Sequence, residues 1–394
     1  MRLLLAPDTL FFKTSDGKYW SDTIYSYEFF QRYMTVFDTV VIASRCQKAS
    51  YEEVKGYLRS DGPRIEVCEM PSMRGMKAYL RNIVPFARGA KNSCKNVDCA
   101  LIRLPSVPAS MVLHYFKRTK KPFALEIVAD PSDAYASNAI AKLLFTWHMK
   151  KACATANGVS YVTKYYLQQR YPSYCKKHGQ KNGNHFESYY STICIDDAFF
   201  SVPRDYTGKT RFEIIHTANN MNNTVKGHEV LLRAGKKVIN DGFDIKIKFV
   251  GDGRLKSYFE SLAEELGISE RVEFTGMLSC LYKVREQLMS ADMLVFPTKA
   301  EGLPRTIIES MAVGLPCIST PIAGIPELLE SEDMIDPLDV NGFAKRIEDF
   351  LSDTEIMNKK SVRNIKVAKE YRDSVLKPKR DAFYQSLLNS CLAK

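Results

Sequence analysis

Two glutamates eight residues apart, Glu301 and Glu309, flank a helix start in the run LVFPTKAEGLPRTIIESMAVGLPCISTPIAGIPELL, residues 294–329. At the cap position neither Leu303 nor Pro304 offers a side-chain oxygen. The amides of Arg305 and Thr306 therefore stay open where the helix dipole is positive, a place suited to a phosphate. One carboxylate can face a ligand while the other accepts hydrogen bonds from sugar hydroxyls. The plainer alternative pairs Glu309 with Arg305 across one helical turn and leaves Glu301 as a solvated loop residue. Two further strand ends carry chemistry. Arg103 closes the apolar run ALIRL and suits a phosphate or a carboxylate, or else a structural ion pair. Asp130 and Asp133 follow FALEIVA, where a carboxylate can orient or deprotonate a hydroxyl, or else cap the helix read over 134–151.

These residues need elements to hold them at strand ends, and the sequence supplies them twice. Short apolar strands are read at 1–7, 39–44, 64–70, 99–104, 123–129 and 158–163, with helices at 23–35, 51–58 and 73–90 between them. A second series has strands at 212–218, 245–250, 272–275 and 294–296, with helices at 227–240, 255–266 and 281–290. In the motif itself a helix runs from Pro304 until Gly314 closes it, and 315–320 is the next strand. Strands alternating with helices predict an α/β protein with two doubly wound parallel sheets, in which ligands bind beyond the carboxyl ends of the strands. The first strand-to-helix connection lacks GxGxxG and is a long polar loop, 8–22. Gly17 is its one glycine and the acceptor-side candidate there, and this weakens a dehydrogenase reading. The tail, 365–392, is read as helical with a break near Pro378.

The stretch 294–329, with its EG pair, two glutamates, MAVGLP and GIPEL, resembles the signature of retaining GT-B glycosyltransferases, glycosyltransferase family 4 in particular. VKGHEVLL, KFVGDGRLK, VEFTGM and ADMLVFPT extend that resemblance over most of the second half. It implies a GT-B architecture: two Rossmann-like domains facing a central cleft, with the C-terminal helix crossing back to the N-terminal domain. The boundaries are an acceptor-binding domain over 1–205, a donor-binding domain over 206–372 and the helix over 373–394. It further implies that Lys226 meets the donor diphosphate, Glu301 the donor sugar and Glu309 the ribose. The amides of Arg305 and Thr306 stand at the phosphates, Gly302 and Leu303 belong to the same donor-binding set, and Gly276 and Met277 stand at the base. Asn220 occupies a position where the family often has arginine. Asp130 keeps the aspartate of a strand-end His-Asp pair whose histidine is Ala129 here. The catalytic set is then Glu301, Lys226 and Asp130, with Arg103, Asp133 and Gly17 on the acceptor side.

The chain has 394 residues and a net charge of +11. Residues 1–205 hold 29 lysines and arginines against 18 acids, whereas 206–394 hold 27 of each. The whole surplus lies in the first half, concentrated at 71–121 and 142–186. The segment SMRGMKAYLRNIVPFARGAKN is basic and amphipathic, with Arg74, Lys77 and Arg81 beside Met73, Met76 and Leu80. It predicts either a solvated helix packed on the sheet or contact with an anionic membrane surface, while no motif or aromatic platform points to nucleic acid. No apolar run is long enough to cross a membrane, and MRLLLAP is too short for a secretory leader. The ten cysteines form no CxxC pair, as in a reducing compartment. No DxD motif predicts a metal, and no cofactor is expected beyond a UDP- or GDP-sugar co-substrate.

The expectation is a retaining, metal-independent hexosyltransferase. It would move sugar from a nucleotide sugar to a saccharide, lipid-linked acceptor in bacterial capsule, O-antigen or exopolysaccharide synthesis. Its expected place is the cytoplasmic face of the plasma membrane. The competing readings are a sugar-nucleotide epimerase or hydrolase of the same architecture, and a catalytically silent glycolipid-binding protein.

Overall fold

The computed structural model describes residues 1–72, 82–134, 138–179, 185–278 and 280–393. It divides into two compact units, Met1–Tyr190 with Lys377–Lys394, and Ser191–Leu376. Of the basic amphipathic helix read over 73–90, residues 73–81 lie outside the described residues, and the remainder forms the helix Ile83–Ser93.

In the first unit, strands β1 (Arg2–Ala6), β4 (Thr39–Lys48), β6 (Ile65–Pro71), β7 (Cys99–Leu104), β8 (Phe123–Ile127), β9 (Gly158–Tyr161) and β10 (Phe186–Tyr189) pair in parallel. Their order runs β10-β9-β8-β7-β1-β4, with β6 on β4. β1, β7 and β8 are buried almost throughout, as strands covered on both faces must be. The polar loop read at 8–22 is instead an antiparallel hairpin, β2 (Leu10–Lys13) and β3 (Tyr19–Ser21), with β2 laid on the second half of β4. Phe11 supplies the reason: it is fully buried and packs edge-on against Phe30. The helix expected at 51–58 is a run of turns followed by β5 (Leu58–Arg59), since Val54 alone of residues 51–58 reaches the core. The helix expected from Thr23 begins at Tyr27, where Ser26 Oγ accepts the Phe29 amide at 3.1 Å.

The second unit is one parallel sheet, β11 (Arg211–Asn220), β12 (Asp244–Asp252), β13 (Val272–Gly276), β14 (Met293–Val295) and β15 (Cys317–Ile318). Its order is β13-β12-β11-β14-β15, the doubly wound arrangement in which the chain reverses direction across the sheet between β11 and β14. Phe212, Ile214, Ile247, Phe249, Leu231 and Phe343 centre its core. Residues 191–205, read as the end of the first domain, fall within this unit. The Ser201 amide donates to the Ala312 carbonyl at 3.1 Å, and Arg204 donates to the carbonyls of Val313, Ala291 and Leu288 at 2.8, 2.5 and 2.9 Å. One guanidinium closing three loose chain ends ties the segment to this unit.

The last helix, Asp373–Leu392, runs through Pro378 without a break. The break falls earlier, at Arg372, whose backbone is extended (φ −60°, ψ 149°). Pro378 stands in the second turn, so only one ladder bond is lost. From Lys377 onward the helix belongs to the first unit, where Phe383, Tyr384 and Leu387 are buried.

Candidate active site

The motif glutamates sit where β11 and β14 part, the switch point at which open α/β sheets hold ligands. Two hydroxyls pin the end of β14 and the loop beyond it. Ser319 Oγ donates to the Phe296 carbonyl at 2.6 Å, and Thr320 Oγ1 donates to the Thr298 carbonyl at 2.9 Å. The loop then meets the turn after β11: the Lys299 amide donates to the Val225 carbonyl at 2.8 Å. That approach needs Gly227. Its φ is +78°, and a Cβ there would lie 2.1 Å from the Pro297 carbonyl oxygen. The outcome is an ion pair between Lys226 Nζ and Glu301 Oε1, with the ammonium 5.6 Å from the Phe296 ring centroid. The carboxylate and the lysine expected on a donor sugar and a donor diphosphate are thus neighbours. Sequence separation gave no hint of that.

The helix Arg305–Ala312 starts beside them. Pro304 is its N-cap residue, with ψ 117° and no side-chain cap bond, so the open amides read from the sequence are present. Thr306 Oγ1 hydrogen-bonds Thr217 Oγ1 and fixes the helix start to the end of β11. The Gly302 carbonyl accepts the Gly324 amide at 2.9 Å, and Leu303 is buried. At the far end Gly314 N donates to Met311 O and Leu315 N to Ser310 O, both at 3.0 Å, closing the helix where expected. Ile307, Ile308, Met311 and Ala312 form its buried stripe. Glu309 is half-buried and, among the described residues, has no hydrogen-bond or ion-pair partner. Burial raises its affinity for a proton, opposed by the charge of Arg305.

Behind Lys226 lies a pair the sequence reading missed. His216 Nε2 donates to the Lys226 carbonyl at 2.8 Å and holds the turn. The rings of His216 and His228 are 4.3 Å apart and both side chains are fully buried. Among the described residues, His216 Nδ1 and both nitrogens of His228 lack partners. Burial lowers the pKa of His216 to about 4 and of His228 to about 2, so both rings are neutral. A histidine two residues past Ile214 in the strand run FEIIHTA was the available signal. Gly276 ends β13 with open space where a side chain would stand, and Met277 beyond it is 56% exposed. Asn220 is the last residue of β11, in register with Asp252.

The first unit revises three readings. Arg103 does not stand open at a strand end. It is 5% exposed and its Nη1 lies 3.0 Å from Glu126 Oε2, its in-register neighbour on β8. Tyr190 and Tyr384 donate to the other oxygen of Glu126 at 3.0 and 3.2 Å, so Arg103 belongs to a sealed structural network. Asp130 is fully buried and saturated. It accepts from Tyr171 at 2.5 Å, the Ser132 amide at 2.8 Å and Tyr166 at 3.0 Å, and pairs with Arg170 at 2.6 Å. Burial alone would raise its pKa, but the Tyr171 and Ser132 hydrogen bonds and Arg170 take it below the ordinary range. It organises the loop and is a poor base. Gly17 is the turn of the β2–β3 hairpin, its amide bonded to the Thr14 carbonyl at 2.9 Å. Asp133 remains open: its Oδ2 is buried without a partner among the described residues, and burial with the Asp130 charge raises its pKa to about 6. In the second unit Glu330, Glu332 and Asp333 come close enough to suggest a cation, but they close around Lys360 at 2.7, 2.8 and 2.6 Å.

Residues 211–353 match the model of the family described as glycosyl transferases group 1. Over 386 residues the chain is 25% identical to Protein CapJ of Staphylococcus aureus, with 94% of each chain covered. It is 30% identical over 141 residues to the lipopolysaccharide core biosynthesis glycosyltransferase LpsE of Rhizobium meliloti, covering 32% of this chain and 41% of that one. Among solved structures, HepE of Anabaena in complex with UDP and glucose superposes with a TM-score of 0.67 at 14% identity, covering all of both chains.

Proposed function

For this chain, a GT-B glycosyltransferase of the group 1 family by its residues 211–353, we propose a retaining, metal-independent transfer of a sugar from a nucleoside-diphosphate donor. The acceptor is a saccharide carried on a lipid, used in surface-polysaccharide synthesis at the inner face of the plasma membrane. The naming of LpsE as a lipopolysaccharide core enzyme supports that acceptor class, and the UDP and glucose bound by HepE support a UDP-sugar donor.

The observation that carries the donor half is the meeting of Lys226 with Glu301 beside an uncapped helix start and a partnerless Glu309. As the glycosidic bond breaks, negative charge grows on the departing diphosphate. Lys226 and the amides of Arg305 and Thr306 are positioned to receive it, which is electrostatic stabilisation by preformed donors. Glu301 holds the ammonium until phosphate takes its place, and is then free to turn to the sugar. Glu309, short of hydrogen bonds of its own, suits the ribose hydroxyls. Gly276 and Met277 leave room for a base. On the acceptor side Asp133 is the carboxylate able to accept a proton, a role that Asp130 in its saturated setting does not fill.

A thermal-shift screen with UDP-, GDP- and ADP-sugars identifies the donor, since ligand at about 100 times its Kd adds roughly 2.7 kcal/mol. With that donor, Lys226→Ala should lower kcat far more than it lowers folding stability, because the charge it meets is greatest in the transition state. A rise in KM alone would make Lys226 a ground-state contact and remove its catalytic role.

A further inference from the structure

The helix Ala139–Cys153 in the first unit is built the wrong way round for a surface helix. Ile140, Leu143, Leu144 and Trp147 are 73%, 71%, 58% and 59% exposed. Their spacing of three, four and seven residues puts all four on one stripe, the stripe that a surface helix ordinarily turns to the core. Only Met149, Ala152 and Cys153, near its C-terminal end, are buried. The helix is thus held to the unit by its last turns and presents apolar side chains along the rest. Four large apolar residues contiguous on one face mark a docking surface, unlike scattered single ones.

Charge decides what docks there. Lys150 and Lys151 are exposed at the end of the stripe, and Lys151 Nζ lies 5.1 Å over the Trp147 ring. The helix itself carries Lys142, Lys150 and Lys151, all exposed, and no acid. A tryptophan at the polar border of an aliphatic stripe, with lysines able to extend past it, fits the headgroup layer of a bilayer: rings sit at the interface and ammonium groups reach anionic headgroups. A soluble protein partner would need neither the uniform basic charge nor the lysines at the stripe's edge. We propose that the helix Ala139–Cys153 lies in the interface of an anionic membrane, with Ile140, Leu143, Leu144 and Trp147 in the acyl boundary. This deepens the membrane part of the reading above and is independent of the donor assignment.

The chain contains two tryptophans, Trp20 and Trp147, so Trp20→Phe makes Trp147 the sole reporter. Vesicles of phosphatidylcholine with phosphatidylglycerol should shift its emission to the blue, and brominated acyl chains should quench it. Vesicles of phosphatidylcholine alone should do neither, and added salt should weaken the effect. The triple change Ile140→Gln, Leu143→Gln, Leu144→Gln should cut vesicle pelleting at least about tenfold, as expected when apolar insertion supplies the binding. These positions are exposed, so the melting temperature and the UDP-induced thermal shift should be unchanged. Pelleting with an unaltered Trp147 spectrum would mean that another surface binds lipid, and would overturn this assignment while leaving the membrane reading intact. No pelleting with either vesicle overturns both. A concentration-dependent dimer that the triple change abolishes would also overturn it, by giving the stripe to a second copy of the chain.

Discussion

Replacing Gly227 by alanine tests how the site is held together. The residue has φ +78°, and a Cβ would fall 2.1 Å from the oxygen and 2.6 Å from the carbonyl carbon of Pro297. The left-handed conformation alone costs an alanine about 1–2 kcal/mol. The clash adds to this, because both obstructing atoms are backbone and no rotamer change relieves it. The turn at 225–228 or the strand end at 296–299 must move, and the Lys299-to-Val225 hydrogen bond with it. Either movement draws Lys226 away from Glu301. We expect a total loss of roughly 2–4 kcal/mol in denaturant unfolding, within the range for backbone lesions. In calorimetry on the folded variant, UDP affinity should fall by about tenfold or more, since small displacements of positioned groups carry large penalties. Gly242 supplies the control. It has φ +93°, and a Cβ added there would meet nothing within 4 Å, so Gly242→Ala should show the conformational loss with UDP affinity intact. If Gly227→Ala binds UDP as the wild type does, or if Gly242→Ala weakens binding equally, the close approach does not build the site.

Two buried groups give further expectations. His216 and His228 have pKa values lowered to about 4 and about 2 from 6.5, so the unfolded chain takes up protons that the folded chain refuses. Stability should therefore fall as pH drops below about 6.5, by up to about 1.4 kcal/mol per pH unit for each ring. His228→Phe should remove its share of that slope, because the ring stacks on Phe259 and its nitrogens have no partners; an unchanged slope in urea titrations across this window refutes the burial argument. Asp133, raised to about 6, works the other way: the folded state binds the proton more tightly, so its contribution is lost as pH rises from about 4 to about 6. Asp133→Asn should stabilise the protein at neutral pH by on the order of 1 kcal/mol, discounted for partial exposure, and equal melting temperatures would contradict this.

Much of the fold was legible because apolar runs bounded by glycine and proline encode buried parallel strands. The run 99–104 is β7 residue for residue, and Gly314 closes its helix as read. The uncapped start at Pro304 was equally visible, since caps are local chemistry. What escaped was tertiary. Arg103 looks like a ligand residue at a strand end until its register with Glu126 and the lid formed by Tyr384, more than two hundred residues later, are known. Asp130 is saturated by Tyr166, Arg170 and Tyr171, which no spacing rule connects to it. The hairpin at 10–21 hid in a polar loop because only Phe11 of its residues is apolar and fully buried. The exposed stripe on 139–153 has ordinary helical periodicity, so its outward direction could be seen only in the structure.

The central claim is that Glu309, on the helix Arg305–Ala312 and without partners among the described residues, binds the donor's ribose. Calorimetric titration of UDP into the wild type, Glu309→Ala and Glu309→Gln tests it directly. Hydrogen bonds to a charged group are worth about 1.5–3 kcal/mol each, so both variants should bind at least roughly tenfold more weakly while melting like the wild type. Wild-type affinity should decline on acidification from above the ordinary glutamate range, because burial raises the Glu309 pKa and the ligand favours the ionised form. The loss should be absent from Glu309→Gln. Undiminished UDP affinity in a folded Glu309→Ala protein would contradict the assignment.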